Sequence, residues 1–106
     1  MTRRFVKVAE EALIKEGEAR SFEVDGTGVL LSRVDGKIYA VEDLCTHDDG
    51  PLGEGVLEGF EIECPRHGAR FDVRTGAVCR MPAVAPVSSF PVKVENGHVL
   101  VELEFE

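Results

Sequence analysis

The sequence predicts an all-β fold, a small sandwich or barrel. Three observations carry that reading. Asp25-Gly26, Asp35-Gly36 and Asn96-Gly97 are dipeptides that favour tight hairpin turns, because the second residue easily adopts positive φ. The segments around them are short and rich in Val and Ile, as strands are. The last of these, HVLVELEF (98–105), alternates cleanly: Val99, Val101, Leu103 and Phe105 share one face, His98, Leu100, Glu102 and Glu104 the other.

In chain order, AEEALIKEG (9–17) hints at a helix and reads equally well as a loop. ARSFEV (19–24) and GVLLSRV (28–34) flank the first turn, and KIYAVE (37–42) follows the second. FEIEC (60–64) and ARFDV (69–73) come next, and GAVCR sets Cys79 on a strand as a small buried residue, the alternative being a reactive thiol. FPVKVE (90–95) and HVLVELEF meet at Asn96-Gly97, which leaves His98 a surface residue beside the turn. No repeat, low-complexity run or linker divides the chain, so residues 1–106 read as a single domain.

Composition narrows the function. With 43% apolar and 30% charged residues, the chain has the balance of a globular protein. Twelve Lys and Arg against twenty Asp and Glu give a net charge of −8, which argues against nucleic acid or an anionic membrane as the main partner. Arg66, Arg70, Arg74 and Arg80 run the other way with only Asp72 among them, a solvated hairpin face or a docking patch. Two arginines open the chain without an apolar run long enough for a signal peptide, and no stretch approaches the ~20 apolar residues of a membrane span. The expected location is the cytosol. Three cysteines there are ligands or buried thiols rather than a disulfide framework.

Two of those cysteines and two of the three histidines fall in CTHDDGPLGEGVLEGFEIECPRHG (45–68), as the pairs Cys45 with His47 and Cys64 with His67. The first pair follows one strand and the second closes another, so a rigid sheet would offer two loops side by side. Thiolate is soft and imidazole borderline, a donor set that suits zinc or iron–sulfur. A Cys-His nucleophile is a poor fit, since residues two or three apart on a loop tip point the same way and no orienting partner is evident. Zinc fingers usually pair Cys with Cys and His with His; here each loop brings one of each. A phosphate-binding loop at GPLGEG lacks both the lysine and the following helix.

The pattern C-x-H-x16-C-x-x-H resembles that of Rieske [2Fe-2S] centres. CTHDDGPLGEG, CPRHGARFDVRTGAV and MPAVAPVSSFPVKVENGHVLVEL together resemble bacterial Rieske-type ferredoxins of ring-hydroxylating dioxygenase systems, over essentially the whole chain. The resemblance implies a Rieske-type antiparallel β-sandwich with a small cluster-binding subdomain, its loops spanning about 43–84. It implies one [2Fe-2S] cluster, with Cys45 and Cys64 on one iron and His47 and His67 on the other. Gly50, Gly53, Gly55 and Gly68 would let backbone approach the cluster, and Pro82 would belong to a covering loop, the alternative being a plain rigid turn. Cys79 matches no ligand position.

What the chain lacks separates the classes of Rieske protein. Respiratory-complex relatives carry a membrane anchor and a disulfide between the ligand loops; the matching positions here are Gly50 and Arg66. Oxygenase large subunits carry a further catalytic domain, for which 106 residues leave no room. The resemblance thus implies a soluble, monomeric electron carrier between a flavoprotein reductase and a terminal oxygenase, without substrate chemistry of its own. The alternatives are a small subunit of a nitrite reductase-like complex, where the ligands are commonly missing, and a zinc-binding structural module. High-potential relatives place Ser and Tyr hydroxyls just after the second ligand pair; the positions here are Ala69 and Phe71, which implies a potential near the low end, about −150 mV.

Overall fold

The computed structural model describes residues 2–105. Strand-forming sequence dominates it: eleven strands and a single turn of 3-10 helix form three antiparallel sheets. The first sheet takes β1 (Thr2–Glu10), β11 (His98–Phe105) and β10 (Val92–Glu95) in the order β1-β11-β10. The second takes β2 (Ala19–Val24), β3 (Thr27–Val34), β4 (Lys37–Glu42) and β9 (Ser89–Phe90) in chain order. The third is made of short strands, β5 (Val56–Glu58), β6 (Glu61–Glu63), β7 (Arg70–Asp72) and β8 (Val78–Arg80). The three hairpin dipeptides turn as their chemistry requires, with positive φ at Asp25, Gly26, Asp35, Gly36, Asn96 and Gly97.

The second sheet is the middle layer, and β3 shows why. Its VLLS run is buried without a break, as in strands covered on both faces. Val29 and Leu31, with Ile38 and Ala40 of β4, pack against Val99, Val101 and Leu103 of β11. Leu30, Val34 and Val41 face the other way and pack on Ile62, Phe71, Cys45 and Cys64. The antiparallel register pairs Leu30 with Val41 and Leu31 with Ala40, so each cross-strand pair serves one of the two cores.

Three local expectations are corrected. The helix hinted at over 9–17 is only a turn, Glu11–Leu13, because Ile14 drops into the core directly after it and the preceding residues are strand. Thr2–Glu10, unassigned from sequence, pairs along β11 with a register shift between Lys7 and Ala9. Cys79 is exposed, not buried: β8 is a three-residue strand at the sheet's edge, and the partly buried side chain there is Val78. Partial desolvation by its strand neighbours raises the Cys79 thiol pKa even so, with the charges of Glu61 and Asp72 adding to it. His98 lies at the surface, where its Nδ1 is 3.0 Å from Glu10 Oε2.

Candidate metal centre

Two loops of matched construction meet at one end of the fold. In the first, Cys45 N–H donates to the Gly50 carbonyl (2.7 Å) and Asp49 N–H donates back to the Cys45 carbonyl (2.7 Å). In the second, Cys64 N–H donates to the Ala69 carbonyl (2.7 Å) and Gly68 N–H donates back to the Cys64 carbonyl (3.1 Å). Each bond pair closes a tight six-residue curl, 45–50 and 64–69, with a left-handed residue at its fifth position. Asp49 (φ 61°) and Gly68 (φ 78°) supply it, and Asp and Gly are among the residues that tolerate that region best. The two motifs therefore fold into near-copies of one another despite their different Cys-to-His spacing.

The curls sort the four candidate side chains by depth. Cys45 and Cys64 are fully buried, with their sulfurs and an Asp48 carboxylate oxygen all within 4.8 Å of one another. His47 and His67 are exposed at the loop tips, their ring centroids 5.0 Å apart and their planes at 85°. Burial raises the Cys45 thiol pKa, and the neighbouring Cys64 adds to that. Two buried thiols with two imidazoles close above them form a donor set whose chemistry suits an iron–sulfur cluster, which Cys45, Cys64, His47 and His67 would hold.

A third segment closes the site. Thr46 Oγ1 donates to the Ala85 carbonyl (2.5 Å), and Val87 N–H donates to the Gly76 carbonyl (3.0 Å). These bonds tie the proline-bearing MPAVAPV stretch (81–87) to the first loop and to the β7–β8 turn. Ala83 and Val87 are the residues it buries, in the same core as both cysteines, while Pro82 is half-buried.

The four arginines, read from sequence as a solvated hairpin face or a docking patch with only Asp72 opposite, each have an acidic partner. Arg70 reaches Glu63 (2.8 Å), Glu58 (3.0 Å) and Glu61 (3.5 Å) across β5 and β6, which holds its guanidinium pKa above the usual range. Arg74 binds Asp72 (2.8 Å), and Arg80 lies 3.7 Å from Glu63. For Arg70 and Arg80 the acids lie on neighbouring strands, whereas Asp72 serves Arg74 from two residues away. Arg66 donates to both oxygens of Asp48. That guanidinium and the Gly50 N–H hold the Asp48 carboxyl well below the usual carboxylate range. Asp48 was not singled out from the sequence; its place directly after His47 was the available signal.

Comparison with known proteins agrees with this geometry. Residues 4–91 match the Rieske [2Fe-2S] domain. The chain is 40% identical, over 97% of its length and 99% of the relative's, to the ferredoxin component of a naphthalene 1,2-dioxygenase system from Pseudomonas putida. Its structure resembles the ferredoxin of carbazole 1,9a-dioxygenase from Nocardioides aromaticivorans, with a TM-score of 0.87 and 41% identity, covering 92% of this chain and 95% of that one. It also resembles a chain in a complex of reduced oxygenase and oxidized ferredoxin of a carbazole 1,9a-dioxygenase, with a TM-score of 0.86 and 38% identity over 92% and 91% of the two chains. A matched pair of Cys-His loops on a three-sheet β framework, with a family match over residues 4–91, means that the chain belongs to the Rieske [2Fe-2S] domain family.

Proposed function

We propose that this chain is a one-electron carrier, taking electrons from a flavoprotein reductase and passing them to a terminal oxygenase of the ring-hydroxylating type. Cys45 and Cys64 hold one iron of a [2Fe-2S] cluster and His47 and His67 the other, within a single domain whose binding loops span about 43–84. The observation that carries the reading is the depth order of the donors: thiols buried, imidazoles exposed 5.0 Å apart. When bound, the cluster supplies reversible one-electron redox chemistry. The protein's own residues do the rest. The buried sulfurs keep water from one side, and the exposed imidazoles offer the shortest route to a partner's surface. Relatives that are ferredoxin components of dioxygenase systems, matched along nearly their whole length, support the choice of partners.

Visible absorption and low-temperature electron paramagnetic resonance of the reduced protein test the proposal. A red-brown protein with a Rieske-type signal is expected; a colourless, zinc-loaded one overturns it. Cys64→Ser is expected to lose iron and sulfide, since the thiolate that would bind the iron is gone. Normal iron and sulfide content in that variant overturns the ligand assignment.

A further inference from the structure

We propose that Asp48 and Arg66 form a charge-neutral clamp across the two ligand loops, fixing their spacing and balancing charge beside the sulfurs. The inference rests on the reading of Cys45, His47, Cys64 and His67 as the cluster's holders. Asp48 belongs to the first loop and Arg66 to the second. The backbone bonds described above close each loop on itself. Among the described residues, the N–H···O hydrogen bonds that cross from one loop to the other all come from Arg66. Its Nε and Nη2 fork onto the two oxygens of Asp48, and Nη2 also donates to the Pro51 carbonyl at 2.9 Å. A planar fork of this kind fixes orientation as well as distance. Gly50 leaves the guanidinium its place, since a Cβ there would stand 2.6 Å from the guanidinium carbon.

Position gives the pair its second role. An Asp48 oxygen lies within 4.8 Å of both sulfurs, and Asp48 Oδ2 is 3.6 Å from His67 Nδ1. A lone carboxylate there would add negative charge to a site that gains a further negative charge on reduction. Arg66 cancels it. Arg66 and Asp48 are therefore positioning residues with an electrostatic signature, and removing either one leaves the opposite charge uncompensated.

The test uses the loaded full-length protein with four variants: Asp48→Asn, Arg66→Gln, the two combined, and Arg66→Lys. Potentials are read by protein-film voltammetry, and iron release by the loss of visible absorbance in excess chelator. Asp48→Asn leaves a cation and should raise the potential; Arg66→Gln leaves an anion and should lower it. The combined variant should return toward the wild-type potential while releasing iron faster, roughly two- to fivefold, the scale of a part-exposed ion pair. Arg66→Lys keeps the charge and loses the fork, so faster release at a wild-type potential is expected. It carries the test if Arg66→Gln cannot be loaded. A purely structural pair would move both single variants in one direction, and that outcome, or no shift, overturns the charge balance. Wild-type release rates throughout overturn the clamp. A wild-type protein that binds no iron takes down both this inference and the proposed function, whereas a loaded one with same-sign shifts overturns only the inference.

Discussion

Ala69 and Phe71 are fully buried in the same core as Cys45 and Cys64, and neither side chain carries a hydrogen-bond donor. Donors aimed at cluster sulfurs stabilise the reduced, more negative state and raise the potential, so their absence argues for a midpoint near the low end, about −150 mV. Ala69→Ser and Phe71→Tyr should each raise it by tens of millivolts (roughly, on the scale of second-shell tuning) if the hydroxyls reach a sulfur. A hydroxyl that finds no partner in so dry a place would instead cost about 1–3 kcal/mol of stability, which separates the two outcomes in a melting experiment. A wild-type midpoint above roughly +100 mV would contradict the argument. The exposed Cys79 serves as the contrasting case: Cys79→Ser should leave iron content and spectrum unchanged, as iron analysis would show. The four candidate ligands were legible because their spacing is a covalent property of the chain. Cys79 was misread because burial on a short strand depends on which neighbours lie across the sheet.

The turn between β7 and β8 shows how one carboxylate can organise an element. Asp72 accepts from the Arg74 backbone N–H (2.8 Å) and from Arg74 Nε (3.1 Å), while its own carbonyl accepts from Gly76 N–H (2.7 Å). The Arg74 side chain, desolvation working against it, lowers the Asp72 pKa. A carboxyl whose pKa is depressed by folding stabilises the native state above its unfolded value, about 3.9, and that contribution is lost as pH falls through the folded value. Asp72→Asn should therefore cost about 1 kcal/mol at neutral pH and almost nothing in strong acid. Urea melts at pH 7 and pH 2.5 would show it; an equal loss at both would mean the charge is irrelevant. Elements with local signatures were readable, above all the hairpins at Asp25-Gly26, Asp35-Gly36 and Asn96-Gly97. β1 and β5 were not. β1 owes its place to pairing with β11 at the far end of the chain, and β5 is three residues long with half-exposed or exposed side chains. The partners of Arg70 were hidden for the same reason, since three glutamates meet it only once β5, β6 and β7 are aligned.

At the scale of the molecule, the middle sheet carries two cores of different character. The core between the first two sheets, built on Val29, Leu31, Val99, Val101 and Leu103, is apolar throughout and needs nothing further to close it. The other, on the opposite face, includes both cysteines beside Leu52, Ile62 and Phe71, and is capped by the two loops. Metal binding is coupled to the folding of the segments that supply its ligands, so stripping the cluster should act on this second core. Hydrogen exchange after anaerobic removal of iron with a chelator tests the division. Amides of β6 and β7, and of loops 45–50 and 64–69, should lose protection, whereas those of β11 and of its partner β1 should keep it, because their core is intact. β3 should fall between, since Leu30 loses its neighbours while Leu31 retains its own. Reconstitution with iron and sulfide should restore the lost protection. Uniform loss across β11 and β7 would instead mean that the two faces of β3 cannot be uncoupled, and that the cluster holds the entire fold rather than one end of it.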